Sequence, residues 1–324
     1  MTSTIHLLPD SADRVLIVTN PKAGSKSRST LIDQLANGLE TDGFVVHVIT
    51  DLAELAARTS DPSEGQIRAV IAAGGDGTVS EVVNRTLPAT PVAVLPLGTE
   101  NLLAKYLGIR QDVEQLRHLI GHGATVQLDA GRAGHRIFLL MAGCGFDAEV
   151  VRRLHQERTG HIHHFSYAKP IIDSIRSYEY PELRVYCEPL AETPADSLPQ
   201  REQPFISARW VFVVNLPRYA AGLQIVPDAV GTDGLLDVCT FKDGSLFSGL
   251  RYLAGILLGQ HRSWEDCITQ QTHKLRIEAV GEVPLQLDGD PAGQLPVEIE
   301  SLPGRVKLIV GESWARRHGF AKPS

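Results

Sequence analysis

Several features that whole protein classes depend on are missing from this chain of 324 residues. Its four cysteines, Cys144, Cys187, Cys239 and Cys267, are scattered without a CxxC pair. That spacing supports neither a zinc site nor a disulfide framework, and it suits a reducing cytoplasm. No apolar run approaches the roughly 20 residues that span a bilayer, and no basic-then-apolar leader opens the chain. Positive charge is not in excess: 31 Lys and Arg against 38 Asp and Glu give a net charge of −7. A nucleic-acid partner, which needs a basic stripe, is therefore not expected. No repeat of solenoid period occurs, and residues 1–12 read as a loose polar tail. What remains is an ordinary globular composition, 43% hydrophobic and 21% charged, long enough for two domains.

The most informative stretch is 68–84, RAVIAAGGDGTVSEVVN. Residues 69–73 have the length and type of a buried parallel strand, and Val79, Val82 and Val83 have helical spacing. Between them lies Gly74-Gly75-Asp76-Gly77-Thr78, whose glycines let the backbone approach a ligand closely. A helix starting just after such a loop aims free N–H groups at its contents, which is how phosphate is cradled. Asp76 is the exception, since a carboxylate repels phosphate unless a divalent cation or a transferable proton intervenes. The plainer reading is a tight turn in which Asp76 or Thr78 caps the following helix.

The same rhythm recurs. A strand at 14–19 runs into Asn20-Pro21-Lys22-Ala23-Gly24-Ser25-Lys26 and an amphipathic helix at 29–39. A strand at 44–50 ends on Thr50 and precedes a helix at 53–59. A strand at 91–95 runs into Gly98-Thr99-Glu100-Asn101 and a helix at 102–107. Alternation of this kind implies a parallel sheet whose ligands collect outside the carboxyl ends of the strands. The four loops are thus expected on one rim. From about Ala124 strands dominate, at 125–130, 134–142, 183–188, 206–215, 235–241, 274–279, 283–288 and 306–310. Helices are expected only at 148–158, 167–177 and 245–260. An antiparallel sandwich or barrel-like second domain follows.

In chain order, Asn20-Pro21 with Gly24, the GGDGT loop and Gly98-Thr99-Glu100-Asn101 resemble motifs of the diacylglycerol kinase catalytic-domain superfamily. That group includes bacterial diacylglycerol kinases, YegS-like lipid kinases and sphingosine kinases. Gly143-Cys144-Gly145-Phe146-Asp147-Ala148, Pro227-Asp228-Ala229, Thr232-Asp233-Gly234-Leu235-Leu236-Asp237 and Leu287-Asp288-Gly289-Asp290 continue the likeness. The resemblance implies an α/β N-terminal nucleotide-binding domain with a parallel sheet, of NAD kinase and diacylglycerol kinase type, over 1–130. It implies a mainly antiparallel β-sandwich over 131–324, with the active site in the cleft between the two. ATP would be held by Asn20, Pro21, Lys22, Ala23, Gly24, Thr50, Gly74, Gly75, Asp76, Gly77, Thr78, Glu81, Gly98, Thr99 and Asn101. Asp76 and Asp147 would orient a catalytic Mg²⁺, and Asp290 would be the general base, with Asp288 second. A structural Mg²⁺ would take Asp233 and the carbonyls of Val230 and Leu235. The acceptor would be a membrane-derived lipid alcohol, met by a cytoplasmic protein in transient peripheral contact with the membrane, with homodimer formation left open.

Three positions depart from the family pattern: Ser80 for Asn, Leu102 for Asp, and Asp290 for Glu. They leave open a nucleotide-binding regulator that has lost transfer activity, while the shared GGDGT loop and domain plan leave open an NAD kinase-like enzyme. Without the family context, Asp288-Gly289-Asp290 reads as a tight turn and Asp233-Gly234 as an ordinary turn entering a strand. His155, His161, His163 and His164, beside Arg152, Arg153 and Arg158, read as a solvated surface rather than a metal site. Residues 246–258, LFSGLRYLAGILL, read as a helix packed on the core, with contact to an acyl chain or membrane as the alternative.

Overall fold

The computed structural model describes residues 5–20, 26–61, 65–156, 177–190, 204–219 and 222–321. Pro21, Lys22, Ala23, Gly24, Arg158, His161, His163, His164 and the expected helix up to residue 176 lie outside them. The chain divides into two compact units, Met1–Asp129 with Gly304–Ser324, and Ala130–Pro303.

The first unit opens with β1 (His6–Leu7), β2 (Arg14–Thr19), α1 (Lys26–Thr41), β3 (Val45–Ile49), α2 (Leu52–Ser60) and β4 (Ile67–Gly74). It continues through α3 (Asp76–Arg85), β5 (Pro91–Pro96), α4 (Leu102–Leu107), α5 (Val113–His122) and the start of β6 (Ala124–Ala133). Strand β2 pairs in parallel with both β3 and β4, and β4 with β5. The apolar runs are what this demands: Val15, Leu16, Ile17, Val70, Ile71 and Ala72 are all fully buried. Because β2 lies between two later strands, the sheet has a topological switch point between β2 and β4, where ligands of such folds bind. The loops leaving those two strands begin at Asn20 and Gly75.

Two expectations for this unit need correction. Residues 5–12 are not a loose tail: β1 pairs with β6, and Ile5, Leu8 and Ala12 are buried. Buried Arg68 helps fix them, donating to the carbonyls of Pro9 and Ile120 at 2.8 Å and of Gly121 at 2.6 Å. Helix α5 was missed although its signals were present. Asp112 caps it by accepting from Gln115 N–H at 3.1 Å, and Leu116, Leu119 and Ile120 form its buried stripe.

The second unit contains β7 (Arg136–Phe138), β8 (Met141–Gly145), α6 (Phe146–Gln156), β9 (Leu183–Cys187), β10 (Ile206–Ala208) and β11 (Trp210–Val214). There follow β12 (Leu236–Phe241), α7 (Leu246–Leu257), β13 (Cys267–Thr272), β14 (Lys274–Ala279), β15 (Pro284–Leu287) and β16 (Asp290–Gln294). Strand β17 (Val297–Val310) leads the chain back to the first unit, where Lys307 and Leu308 pair in parallel with β5 and α8 (Glu312–Arg317) follows. One antiparallel sheet has the order β13-β12-β11-β8-β15-β16, and another runs β10-β9-β14-β17. Phe138, Val211, Val213 and Leu236 share a buried core with Leu183, Leu275 and Ile277, as in a sandwich. The strand expected at 206–215 is two strands. Ile206–Ala208 pairs with β9, whereas Trp210–Val214 pairs with β8 and β12, so the chain changes sheets at Arg209.

Candidate active site

At the switch point, β4 runs into Gly75, which caps α3 in an extended conformation with no side-chain hydrogen bond to that helix. The carboxylate of Asp76 serves another helix. Its Oδ2 accepts from Leu102 N–H at 2.9 Å and its Oδ1 from Leu103 N–H at 3.1 Å. Those are two of the four N–H groups that the start of α4 leaves open. Asp76 is therefore a helix cap after all, but of the helix after next. Burial raises its pKa, and the two backbone N–H groups oppose that shift.

The loop before α4 is closed by Asn101, left-handed at φ 49°, a conformation that Asn tolerates better than most residues. Its Oδ1 accepts from Gly98 N–H and its Nδ2 donates to Gly98 C=O, both at 2.8 Å. Gly98 in turn lies against Gly75, where a Cβ on Gly98 would come 2.5 Å from the Gly75 Cα. The GGDGT and GTEN motifs are thus one structure, joined backbone to backbone and pinned by Asp76 and Asn101. Gly98→Ala should separate the loops, lower stability by about 1–3 kcal/mol and weaken nucleotide binding. Thermal unfolding and an ATP titration check this, and two unchanged values would show that the contact yields freely.

Thr50 and Thr99 are exposed on the loops after β3 and β5, and Asn20 is exposed after β2. Glu81 differs from the other predicted nucleotide contacts: it lies inside α3 and forms an ion pair with Arg85. Two of the family departures are apolar or compact replacements at buried positions, since Ser80 is 7% and Leu102 8% exposed.

In the second unit, Asp147 stands in the first turn of α6 and is buried. The Tyr219 hydroxyl donates to its Oδ1, and Gln286 Nε2 donates to its Oδ2 at 2.8 Å. Burial pushes its pKa up to about 6, against the lowering effect of those two donors. Gln286, fully buried on β15, uses its Oε1 to accept from Gly289 N–H at 2.8 Å. One side chain therefore ties Asp147 to the Asp288-Gly289-Asp290 turn. Tyr219 and Gln286 were not singled out from sequence. The only available signal was a lone Gln inside the apolar run Leu285 to Leu287.

Asp288 and Gly289 join β15 to β16 with φ of 52° and 87°, and Leu287 pairs with Asp290. Positive φ at both central residues of a two-residue loop defines a type I′ hairpin. The Asp288 carboxylate is spent on its surroundings, accepting from Leu139 and Leu140 N–H at 2.8 Å and from Met141 N–H at 3.0 Å. These amides bend away from strand pairing, which is why the strand expected at 134–142 is divided into β7 and β8. The side chain of Asp290, half-buried at the start of β16, has no hydrogen bond or ion pair among the described residues. Asp288→Ala should cost about 2–4 kcal/mol, because the amides lose their acceptor and Ala is strained at positive φ. Denaturant unfolding tests it, and a loss below about 1 kcal/mol would refute the anchoring role.

Among the described residues no three His, Cys, Asp or Glu side chains cluster as a metal site. Each oxygen of Asp76 and Asp147 already accepts one hydrogen bond and keeps a second lone pair. Taken separately, each carboxylate can thus meet a Mg²⁺ through water, as that ion prefers, but neither belongs to an all-protein cage. Asp233, expected on a structural Mg²⁺ with Val230 and Leu235, accepts from Leu235 N–H at 2.9 Å. It forms a local turn there, and Val230 is 48% exposed.

A nucleotide-type α/β unit with fused glycine loops, followed by a sandwich carrying a braced acidic hairpin, is the fold class of NAD kinase-like and diacylglycerol kinase-like proteins. The model of the diacylglycerol kinase catalytic domain matches residues 14–133. That of the YegS C-terminal NAD kinase beta sandwich-like domain matches residues 141–310. The chain belongs to this diacylglycerol kinase and YegS family of phosphotransferases. It is 23% identical over 311 residues to a diacylglycerol kinase of Bacillus subtilis, covering 94% of this chain and 98% of that one. It is 25% identical over 297 residues to a probable lipid kinase YegS-like of Shewanella frigidimarina, covering 89% and 91%. A diacylglycerol kinase structure from Bacillus anthracis superposes with a TM-score of 0.65 at 20% identity, over 94% of this chain and 99% of that one. An NAD kinase of Archaeoglobus fulgidus shares the fold at a TM-score of 0.50 and 11% identity, over 94% and 96%.

Proposed function

We propose that this protein transfers the γ-phosphoryl group of ATP to a hydroxyl of a membrane-derived lipid such as diacylglycerol or a sphingoid base. The observation that carries the reading is the braced hairpin, which leaves Asp290 as an unspent carboxylate on a rigid support. The loops at Asn20 to Gly24, Thr50, Gly74 to Thr78 and Gly98 to Asn101 would hold the nucleotide. Asp290 would take the proton from the acceptor hydroxyl as its oxygen bonds to the γ-phosphorus and the bond to the β-phosphate oxygen breaks, releasing ADP. Asp288, engaged by three amides, would position the hairpin rather than accept the proton. Bound through water by Asp76 and Asp147, Mg²⁺ would supply charge neutralisation at the phosphates. The acceptor class calls for peripheral contact with a membrane, since no helix among the described residues is long and apolar enough to cross one.

The test is to offer purified protein Mg²⁺, labelled ATP and a panel of lipid alcohols together with NAD. A labelled lipid is the expected product. Phosphorylated NAD without labelled lipid would overturn the proposal, as would measurable ATP binding with no product from any acceptor.

A further inference from the structure

We propose that the exposed face of α7 is the surface by which this protein docks on a lipid bilayer. The inference rests on the lipid-kinase reading, because an acceptor with long acyl chains stays in the membrane and the protein must go to it. Helix α7 is anchored to the second unit along one side. Tyr252 is fully buried and Ile256 5% exposed, and the Tyr252 hydroxyl donates to Asp266 Oδ2 at 2.6 Å. Trp264 lies so close to Gly255 that a Cβ there would come within 2.2 Å of its ring. The opposite side is bare: Phe247 is 86%, Leu250 53%, Leu257 70% and Leu258 69% exposed. Arg251 and Ala254 are exposed as well. These positions recur at steps of three and four, so they form one stripe, about 16 Å long at the helical rise. A contiguous apolar face of this kind marks an interaction site.

The chemistry of the stripe selects a bilayer as its occupant. All of its side chains but one are hydrocarbon, with no polar atom by which a protein partner would be held in register. Residues 246–258 contain no acidic side chain that would repel anionic headgroups, and their one basic residue is Arg251. That Arg251 lies over the rings of Trp264 at 4.5 Å and Tyr252 at 5.1 Å, and it pairs with Asp266. A basic side chain and a tryptophan flanking an apolar stripe match a helix lying in the membrane interface, with hydrocarbon below and headgroups beside it. The helix is preformed for this, since Ser245 Oγ accepts from Ser248 N–H at 3.1 Å as its cap. With twelve residues it is too short to span and suits an in-plane position.

The experiment is co-sedimentation of the full chain, without ATP, with vesicles of phosphatidylcholine and phosphatidylglycerol. The variants are Phe247→Glu with Leu257→Glu, and Arg251→Glu alone, each checked for an unchanged thermal unfolding transition. Wild type should partition onto vesicles, and the double variant should do so at least about tenfold more weakly. Its phosphorylation of a vesicle-embedded diacylglycerol should fall in step, while a short-chain diacylglycerol dissolved as monomer is phosphorylated as by wild type. Arg251→Glu should weaken partitioning more at low than at high salt. Equal partitioning of wild type and double variant would overturn the proposal. So would a shift from dimer to monomer in the double variant with partitioning unchanged, which would make the stripe a contact between copies. Vesicle binding through α7 without phosphorylation of any lipid would support docking while overturning the acceptor assignment, so the two failures are separable.

Discussion

Replacing Asp290 by Asn is expected to slow phosphoryl transfer by about 10²–10⁴-fold, the usual contribution of a positioned general base, while ATP binding and the unfolding transition stay unchanged. The substitution keeps size and shape but removes the ability to accept a proton. Asp290 sits opposite Leu287 at the end of a type I′ hairpin, whose Gly289 amide is held by Gln286 and whose Asp288 is held by the amides of residues 139–141. The side chain is thus supported by backbone geometry that does not depend on its own charge. Turnover with a lipid acceptor, a binding titration with ATP and thermal unfolding together decide the matter. A loss under about tenfold would move the base elsewhere. Asp290→Glu supplies the residue usual in the family and should remain active, as its carboxylate gains one methylene of reach.

Asp76→Asn should lower transfer by at least about 10²-fold and stability by about 1–3 kcal/mol. Both carboxylate oxygens accept backbone N–H groups at the start of α4. An amide offers one acceptor and one donor, so one N–H would then face another donor. The Gly98–Asn101 loop, which α4 follows directly, would lose its fixed position beside Gly75. Rate and unfolding midpoint measured on the same sample separate the two roles. A lowered midpoint with near-normal turnover well below it would remove Asp76 from the mechanism and leave it as a cap alone.

Much of the first unit was legible in the sequence. Strands buried on both faces are written as continuous apolar runs, and the residues at 14–19 and 102–107 form the expected strand and helix with the expected ends. Glycine, Asp and Asn at strand ends marked the loops because few other residues allow such close backbone approach or left-handed φ. The pairings inside those loops were not legible. Asp76 reaches Leu102 across 26 residues, Asp147 reaches Tyr219 across 72 and Gln286 across 139. Contacts at such separations leave no local period to read.

The second unit shows the same limit. Residues 206–215 read as one strand because alternation continues through Arg209, yet neighbouring halves pair with different sheets. Helix α7 read as core-packed from its hydrophobicity, and it is so along one side only.

By itself, the sequence determined the family, through the likeness of its motifs in chain order, and also the alternation of strands and helices and the residue types of the glycine loops, which follow from local hydrophobic period and backbone freedom. Only the tertiary structure decided that Asp76 caps α4, that Asp288 is consumed by three amides while Asp290 is not, that the chain returns to the first unit after Pro303, and which face of α7 is bare. Each of those depends on which distant groups satisfy a buried polar atom or cover an apolar surface, and that is settled by packing rather than by neighbours along the chain.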